Sequence, residues 1–214
     1  MPSPESITAL NRINIVECNE ALVNITKLTD RVRMKEGRLP LLHEGAASRL
    51  VKVCEELPEG IIFYVTRCLR TLDEQTIRWQ TYRGELENKH PEWPNSVLNR
   101  ETNKVYAPFN HKTPPPHSTG AAIDLYFMRE SDGSLLDIMP PLENWKEGYT
   151  ASKVVSRELQ ELRAQLCGMM ETQGFSNYPL EYWYYSYGDS AWAARNGLAE
   201  CMYGAVPSAM IEDR

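Results

Sequence analysis

The sequence predicts an α+β fold: a single domain with a small, mainly antiparallel sheet flanked by helices. Three observations predict it. Apolar residues recur at helical spacing in some segments and as short β-rich runs in others. These segments run helix–strand–helix, then strands with one late helix, without the regular βαβ alternation of a parallel sheet. The 214 residues suffice for one hydrophobic core and are few for two.

Residues 46–57 (AASRLVKVCEEL) place Leu50, Val51, Val53, Cys54 and Leu57 at helical spacing, and Pro58 and Gly60 punctuate their end. Residues 61–66 (IIFYVT) form a continuous β-rich run, the signature of a buried strand. Asp73 is the expected cap of a helix from about Glu74 to Lys89, closed by Pro91. Residues 91–118 read as a long loop, with Pro91, Pro94, Pro108 and the run Pro114-Pro115-Pro116; loops of that length are often functional. Residues 121–127 (AAIDLYF) read as a strand, and Asp132-Gly133 as a turn. Residues 151–173 carry the clearest helical stripe, Val154, Val155, Leu159, Leu162, Leu166, Met169 and Met170, stopped at Gly174. An aromatic strand is expected at 181–187 (EYWYYSY), a short helix capped by Asp189 at 189–195, and a last strand at 200–205.

Charge narrows the partners. A net charge of -6 and a pI near 5.4 argue against nucleic acid and against an anionic membrane surface. No apolar run approaches the roughly 18 residues that span a bilayer. The opening Met1-Pro2-Ser3-Pro4-Glu5 lacks the charged-then-apolar layout of a signal peptide, so a cytoplasmic protein is expected. The five cysteines are scattered without a Cys-x-x-Cys pair, which predicts buried free thiols rather than disulfides or a cysteine zinc site.

Three clusters carry chemistry. His117 leaves the proline-rich loop in His117-Ser118-Thr119-Gly120-Ala121-Ala122-Ile123-Asp124, and imidazole with carboxylate suits a divalent metal such as zinc. The bland alternative is a hydrogen-bonded loop histidine beside a strand-edge aspartate. In the aromatic strand, alternation puts Glu181, Trp183 and Tyr185 on one side and Tyr182 and Tyr184 on the other, unless a bulge intervenes. A carboxylate among aromatics has a raised pKa, which suits a general acid or base. Arg67-Cys68-Leu69-Arg70 follows the predicted strand at 61–66, where arginine serves either an oxyanion or a surface ion pair.

These clusters occur in a known order. The chain resembles the zinc D-alanyl-D-alanine dipeptidases of the vancomycin-resistance type, within the D,D-metallopeptidase family, over roughly residues 45–205. The anchors are the strand and arginine at 61–75, His-x-x-Gly-x-Ala-x-Asp at 117–124, and Glu-x-Trp at 181–183. Ser186-Tyr187-Gly188-Asp189, Trp192-Ala193 and Tyr203-Gly204 extend the likeness. The resemblance implies His117 and Asp124 as zinc ligands and zinc activating a water. It implies Glu181 as the proton carrier of amide hydrolysis and Arg70 as the oxyanion partner. It also implies Glu143 as the carboxylate for the substrate's free α-amino group, with Ser118 and Trp183 as further substrate-binding positions.

The chain departs from the family pattern at the third zinc ligand, where histidine is replaced by Tyr184. Pro115 replaces a serine, and Thr71 replaces the proline after Arg70. Three outcomes stay open: Tyr184 ligates as a phenolate, another group such as His111 substitutes, or the metal is lost and Glu181 and Tyr184 carry a different reaction. Three functions are open: a dipeptidase-like hydrolase, a metal-free enzyme of specialised metabolism acting on an amino-acid-derived small molecule, and a non-catalytic binding protein.

Overall fold

The computed structural model describes residues 5–207 and 209–212. The chain opens with a single turn, α1 (Ile7–Leu10), then β1 (Asn14–Ile15), β2 (Leu22–Asn24), β3 (Val32–Met34) and β4 (Leu41–His43), followed by α2 (Glu44–Glu55). Strand β5 (Ile61–Arg67) leads into a helical hairpin, α3 (Leu72–Lys89) and α4 (Asn95–Val105), and returns as β6 (Ala122–Arg129). Helix α5 (Arg157–Thr172), β7 (Ser176–Tyr178), β8 (Glu181–Ser186), α6 (Ser190–Arg195), β9 (Glu200–Cys201) and α7 (Ala209–Glu212) complete it. The main sheet has the order β3-β5-β6-β8-β7; β3 is parallel to β5 and every other neighbour is antiparallel. The α+β class with a mainly antiparallel sheet is therefore observed.

One face of the sheet makes the core. Phe63, Val65, Leu125 and Phe127 pack with Ala46, Leu50 and Val53 of α2 and Leu166 and Met170 of α5. The other face belongs to the site, and two irregularities shape it. Across β5 and β6, Val65 pairs with Leu125 but Arg67 pairs with Asp124, so one extra residue is accommodated between Val65 and Arg67. Regular alternation would leave Val65 and Arg67 on the same face; the bulge turns Arg67 onto the face of Asp124.

The second irregularity corrects the strict alternation expected for the aromatic strand. The Tyr182 ring lies 3.9 Å beneath the Arg163 guanidinium of α5, and Tyr185 sits beside Cys167 of the same helix. Residues three apart thus face one helix, so β8 rotates between them. Trp183 stacks instead on Tyr126, at 6.2 Å and 20°.

Several boundaries also differ; the strand expected at 200–205 is only Glu200–Cys201. The expected loop at 91–118 contains α4, whose Leu98 and Thr102 are buried one helical turn apart; proline content hid a helix that starts directly after Pro94. Helix α3 is capped by Thr71, whose side chain accepts from Glu74 N, rather than by Asp73, which lies in the first turn. Helix α5 starts after its cap Ser156, so Val154 lies before it and is exposed. Its buried stripe includes Arg163, paired with Asp137 at 2.6 Å where both side chains are almost wholly buried. All five cysteines are free thiols; Cys54, Cys68 and Cys201 are buried as expected, whereas Cys18 is exposed and Cys167 half-buried. Among the described residues no helix is long and apolar enough to cross a membrane.

Candidate active site

The site forms where the central strands and the turn before β6 meet. Pro116 opens a 3-10 turn, Pro116–Thr119, that presents His117. Gly120 ends it in the left-handed region at φ 66°; a Cβ there would sit 2.8 Å from Leu22 Cδ2. This turn is tied to the Arg67–Arg70 segment twice. Arg70 N donates to His117 O at 2.9 Å, and His117 Nδ1 lies 3.0 Å from Cys68 O.

The second contact sets the tautomer. A carbonyl can only accept, so Nδ1 carries the proton and Nε2 of the neutral ring presents a lone pair. That lone pair faces Asp124 Oδ1 at 3.4 Å. Asp124 Oδ1 is buried and has no hydrogen-bond partner, so two acceptor atoms converge on one point. Burial holds the His117 ring below the ordinary imidazole range, against the pull of Asp124. Burial acts to raise Asp124, but the pull of His117 when protonated, with that of Arg67 and Arg70, outweighs it and holds the carboxyl below its usual range.

Arg67, Asp124 and Tyr184 lie in one row across β5, β6 and β8. Arg67 Nη1 stands 3.8 Å from Asp124 Oδ2. Tyr184 meets the His117 ring edge-on at 5.5 Å, and its buried hydroxyl has no hydrogen-bond partner. Burial first, then Asp189, pushes the phenol well above its ordinary pKa, so it stays neutral. Arg70 is buried, with Nη1 bonded to Gln75 Oε1 at 2.5 Å. Gln75 is anchored in turn through Nε2 to Ala107 O at 2.6 Å. Arg70 Nε and Nη2 are buried without a partner. Burial and the nearby Arg67 lower its pKa to about 10, which leaves it charged at neutral pH.

Glu181 opens β8, and its carboxyl is pushed up to about 8 by burial and by Asp124, with Arg67 opposing. The sequence-derived residues His117, Asp124, Tyr184, Arg70 and Glu181 therefore share one neighbourhood. Trp183 is buried between Tyr126 and Trp145, and the edge of its ring limits space at Gly148. Ser118 is buried and donates its hydroxyl to Pro115 O at 2.7 Å. Glu143 is exposed at the start of the 3-10 segment Leu142–Gly148, outside the buried cluster. His111 is exposed, His43 stacks on Tyr203 and His90 on Trp93. Sequence reasoning missed Gln75 and the facing of Arg67. Local spacing signalled neither: Gln75 lies five residues after Arg70, which precedes α3, and regular strand alternation would put Arg67 on the other face.

The donor set supplies two of the three zinc ligands that the resemblance implies. His117 Nε2 and Asp124 Oδ1 converge as metal donors do. The third position holds a neutral buried phenol, and no group of three His, Cys, Asp or Glu side chains suited to a metal exists among the described residues. The residues present do not complete a three-ligand zinc site.

Residues 15–200 match the family model described as D-ala-D-ala dipeptidase. A D-alanyl-D-alanine dipeptidase from a Synechocystis species is 34% identical over 95 residues. The match covers 39% of this chain and 38% of that relative, well under half of its length. Among solved structures, the LdcB LD-carboxypeptidase is 18% identical, with a TM-score of 0.49 and coverage of 93% of this chain and 86% of that one. VanYB in complex with D-Alanine-D-Alanine is 14% identical, with a TM-score of 0.49 and coverage of 88% and 94%. A VanY D,D-pentapeptidase variant in complex with Zn(II) is 14% identical, with a TM-score of 0.48 and coverage of 89% and 96%.

Proposed function

Because the chain belongs to the D-ala-D-ala dipeptidase family, we propose that it is a dipeptidase-like hydrolase cleaving the amide bond of a dipeptide or a related small amide. The observation that carries this reading is the gathering of a carboxyl poised near 8, Glu181, and a buried guanidinium with free donors, Arg70, around the converging His117–Asp124 pair. A hydrolase needs a group that takes a proton from water and returns it, and donors for the oxyanion.

In this reading the Glu181 carboxylate accepts a proton from a water as the water oxygen bonds to the amide carbon. Arg70 donates from Nε and Nη2 to the oxygen that becomes negative. The C–N bond then breaks, the proton passes from Glu181 to the leaving amine, and the carboxylate is restored. Glu143 takes the free α-amino group, and Ser118 and Trp183 wall the substrate. No step is routed through zinc, because Tyr184 leaves its ligand set incomplete.

Release of free amino acid from D-Ala-D-Ala and from mixed and L,L dipeptides tests this, with and without added zinc. Turnover is expected, falling about 10²–10⁴-fold in Glu181→Gln. No turnover across the panel with zinc present sinks the reading.

The neutral phenol of Tyr184 favours a second reading. Here Glu181 and Tyr184 transfer protons on an amino-acid-derived small molecule, in a cyclisation or dehydration that needs no metal. Activity that survives EDTA supports it; complete inactivation by EDTA with rescue by zinc removes it.

A further inference from the structure

Two guanidinium groups, Arg67 and Arg70, face one ionised carboxylate, Asp124. The bulge between Val65 and Arg67 is what brings the second cation in, since regular pairing would point Arg67 into the α2–α5 core. Its contact with Asp124 is loose at 3.8 Å, and its Nε is buried without any partner. About a quarter of the Arg67 side chain stays exposed, 28%, so a solute can reach it. Glu74 of α3, whose charge acts on Arg70, is already engaged by Arg38 at 3.0 Å and Arg78 at 2.7 Å. Three more carboxyls act near the site: burial favours the neutral form of Glu181, Glu5 pairs with Arg195 at 3.0 Å, and Asp189 accepts from Ser186 Oγ and Trp192 N. Like charges held together in a partly desolvated place are costly unless an anion joins them.

We propose that Arg67 binds a carboxylate of the substrate, beside the oxyanion position served by Arg70, and so selects for acids over their neutral analogues. The inference rests on the reading of this cluster as the site of a small amide. In a dipeptide only three bonds separate the scissile carbonyl carbon from the terminal carboxylate carbon. Two cations that recognise both groups must therefore be neighbours, as Arg67 and Arg70 are. A planar guanidinium matches a carboxylate through paired hydrogen bonds. The carboxylate comes either from the C-terminus or from an acidic side chain, and the same site chemistry takes both.

Calorimetric binding distinguishes these sources with three probes: D-Ala-D-Ala, its C-terminal amide, and D-Ala-D-Asp amide, whose carboxylate is only in the side chain. Catalysis is suppressed with Glu181→Gln. The expected result is that a carboxylate probe binds at least about tenfold tighter than the neutral amide, as a charge-assisted hydrogen bond implies. That preference is expected to vanish in Arg67→Gln and to return in part in Arg67→Lys. D-Ala-D-Ala as the preferred probe assigns the C-terminus; D-Ala-D-Asp amide assigns the side chain. Acetate tests the anion site without any dipeptide: it should raise the melting temperature of the Arg67 protein and not of Arg67→Gln. If no dipeptide binds yet acetate acts through Arg67, the hydrolase reading fails and the anion site stands. If the acid-to-amide ratio, or the acetate effect where no dipeptide binds, is the same with and without Arg67, the anion site is overturned, whatever becomes of the hydrolase.

Discussion

Asp124 and Tyr184 are register partners across β6 and β8, so their side chains leave the sheet on the same face beside His117. The pairing explains why one residue decides the character of the site. A donor at position 184 is set next to the His117–Asp124 pair by the backbone itself. The donor present is a phenol that burial keeps neutral.

Tyr184→His is expected to supply the missing imidazole and raise zinc affinity by at least about tenfold, toward the three-donor set of a catalytic zinc. Zinc titration against a chelating dye reads this. Unchanged affinity would mean that the pocket no longer has room for the metal. Tyr184→Phe removes a buried hydroxyl that has no partner. It should cost no stability and gain up to about 1 kcal/mol in urea unfolding; a loss above that size would point to a partner for the hydroxyl.

Glu181 predicts how stability varies with pH. Its folded pKa of about 8 lies above the ordinary 4.5, so between those values the native state binds more protons than the unfolded chain. Stability then falls as pH rises through that window and levels above about 8. Glu181→Gln carries no such penalty. Its melting temperature should match the parent near pH 5 and exceed it increasingly up to pH 9. A gap that stays constant with pH would refute the raised pKa.

Gln75 is expected to act as a positioning residue for Arg70, since it holds Nη1 while being held by Ala107 O. Gln75→Leu leaves Nη1 without that partner and should lower kcat about tenfold to a hundredfold with a smaller change in KM. Gln75→Glu, which keeps an acceptor for Arg70, should recover part of the loss. Equal activity in both variants at a temperature where each is folded would make Gln75 a structural residue only.

The Arg163–Asp137 pair ties α5 to the segment that carries Glu143. Arg163 Nη1 also donates to Glu147 O and, at 3.0 Å, to Tyr149 O. Arg163→Met strands a buried carboxylate and is expected to cost about 3–5 kcal/mol. Arg163→Met with Asp137→Leu should recover much of that cost, and a double-mutant cycle in denaturant measures the coupling. Additive losses would show that the pair is not coupled.

Much of the fold was legible in the sequence because its signals are local. The β-rich run at 61–66, the apolar stripe that became α5, Gly174 as its stop and Asp189 as the cap of α6 each depend on neighbours within a few residues. The helix α4 was hidden because prolines at both ends made the intervening residues look like loop. The order of the His117, Asp124 and Glu181 motifs was also legible, and it pointed to the family before any contact was known.

What the sequence by itself determined is which groups are available: a histidine entering a strand, an aspartate seven residues on, an arginine after a buried strand, and a tyrosine where the resemblance implies a second histidine as third ligand. What only the tertiary structure decided is how they face and how they are charged. A single bulge turns Arg67 toward Asp124, a rotation within β8 sends Tyr182 and Tyr185 to the same helix, and Cys68 O fixes which nitrogen of His117 is free. Facing depends on register with distant strands, and protonation on burial and charges brought together through space, so neither is written in the spacing of residues along the chain.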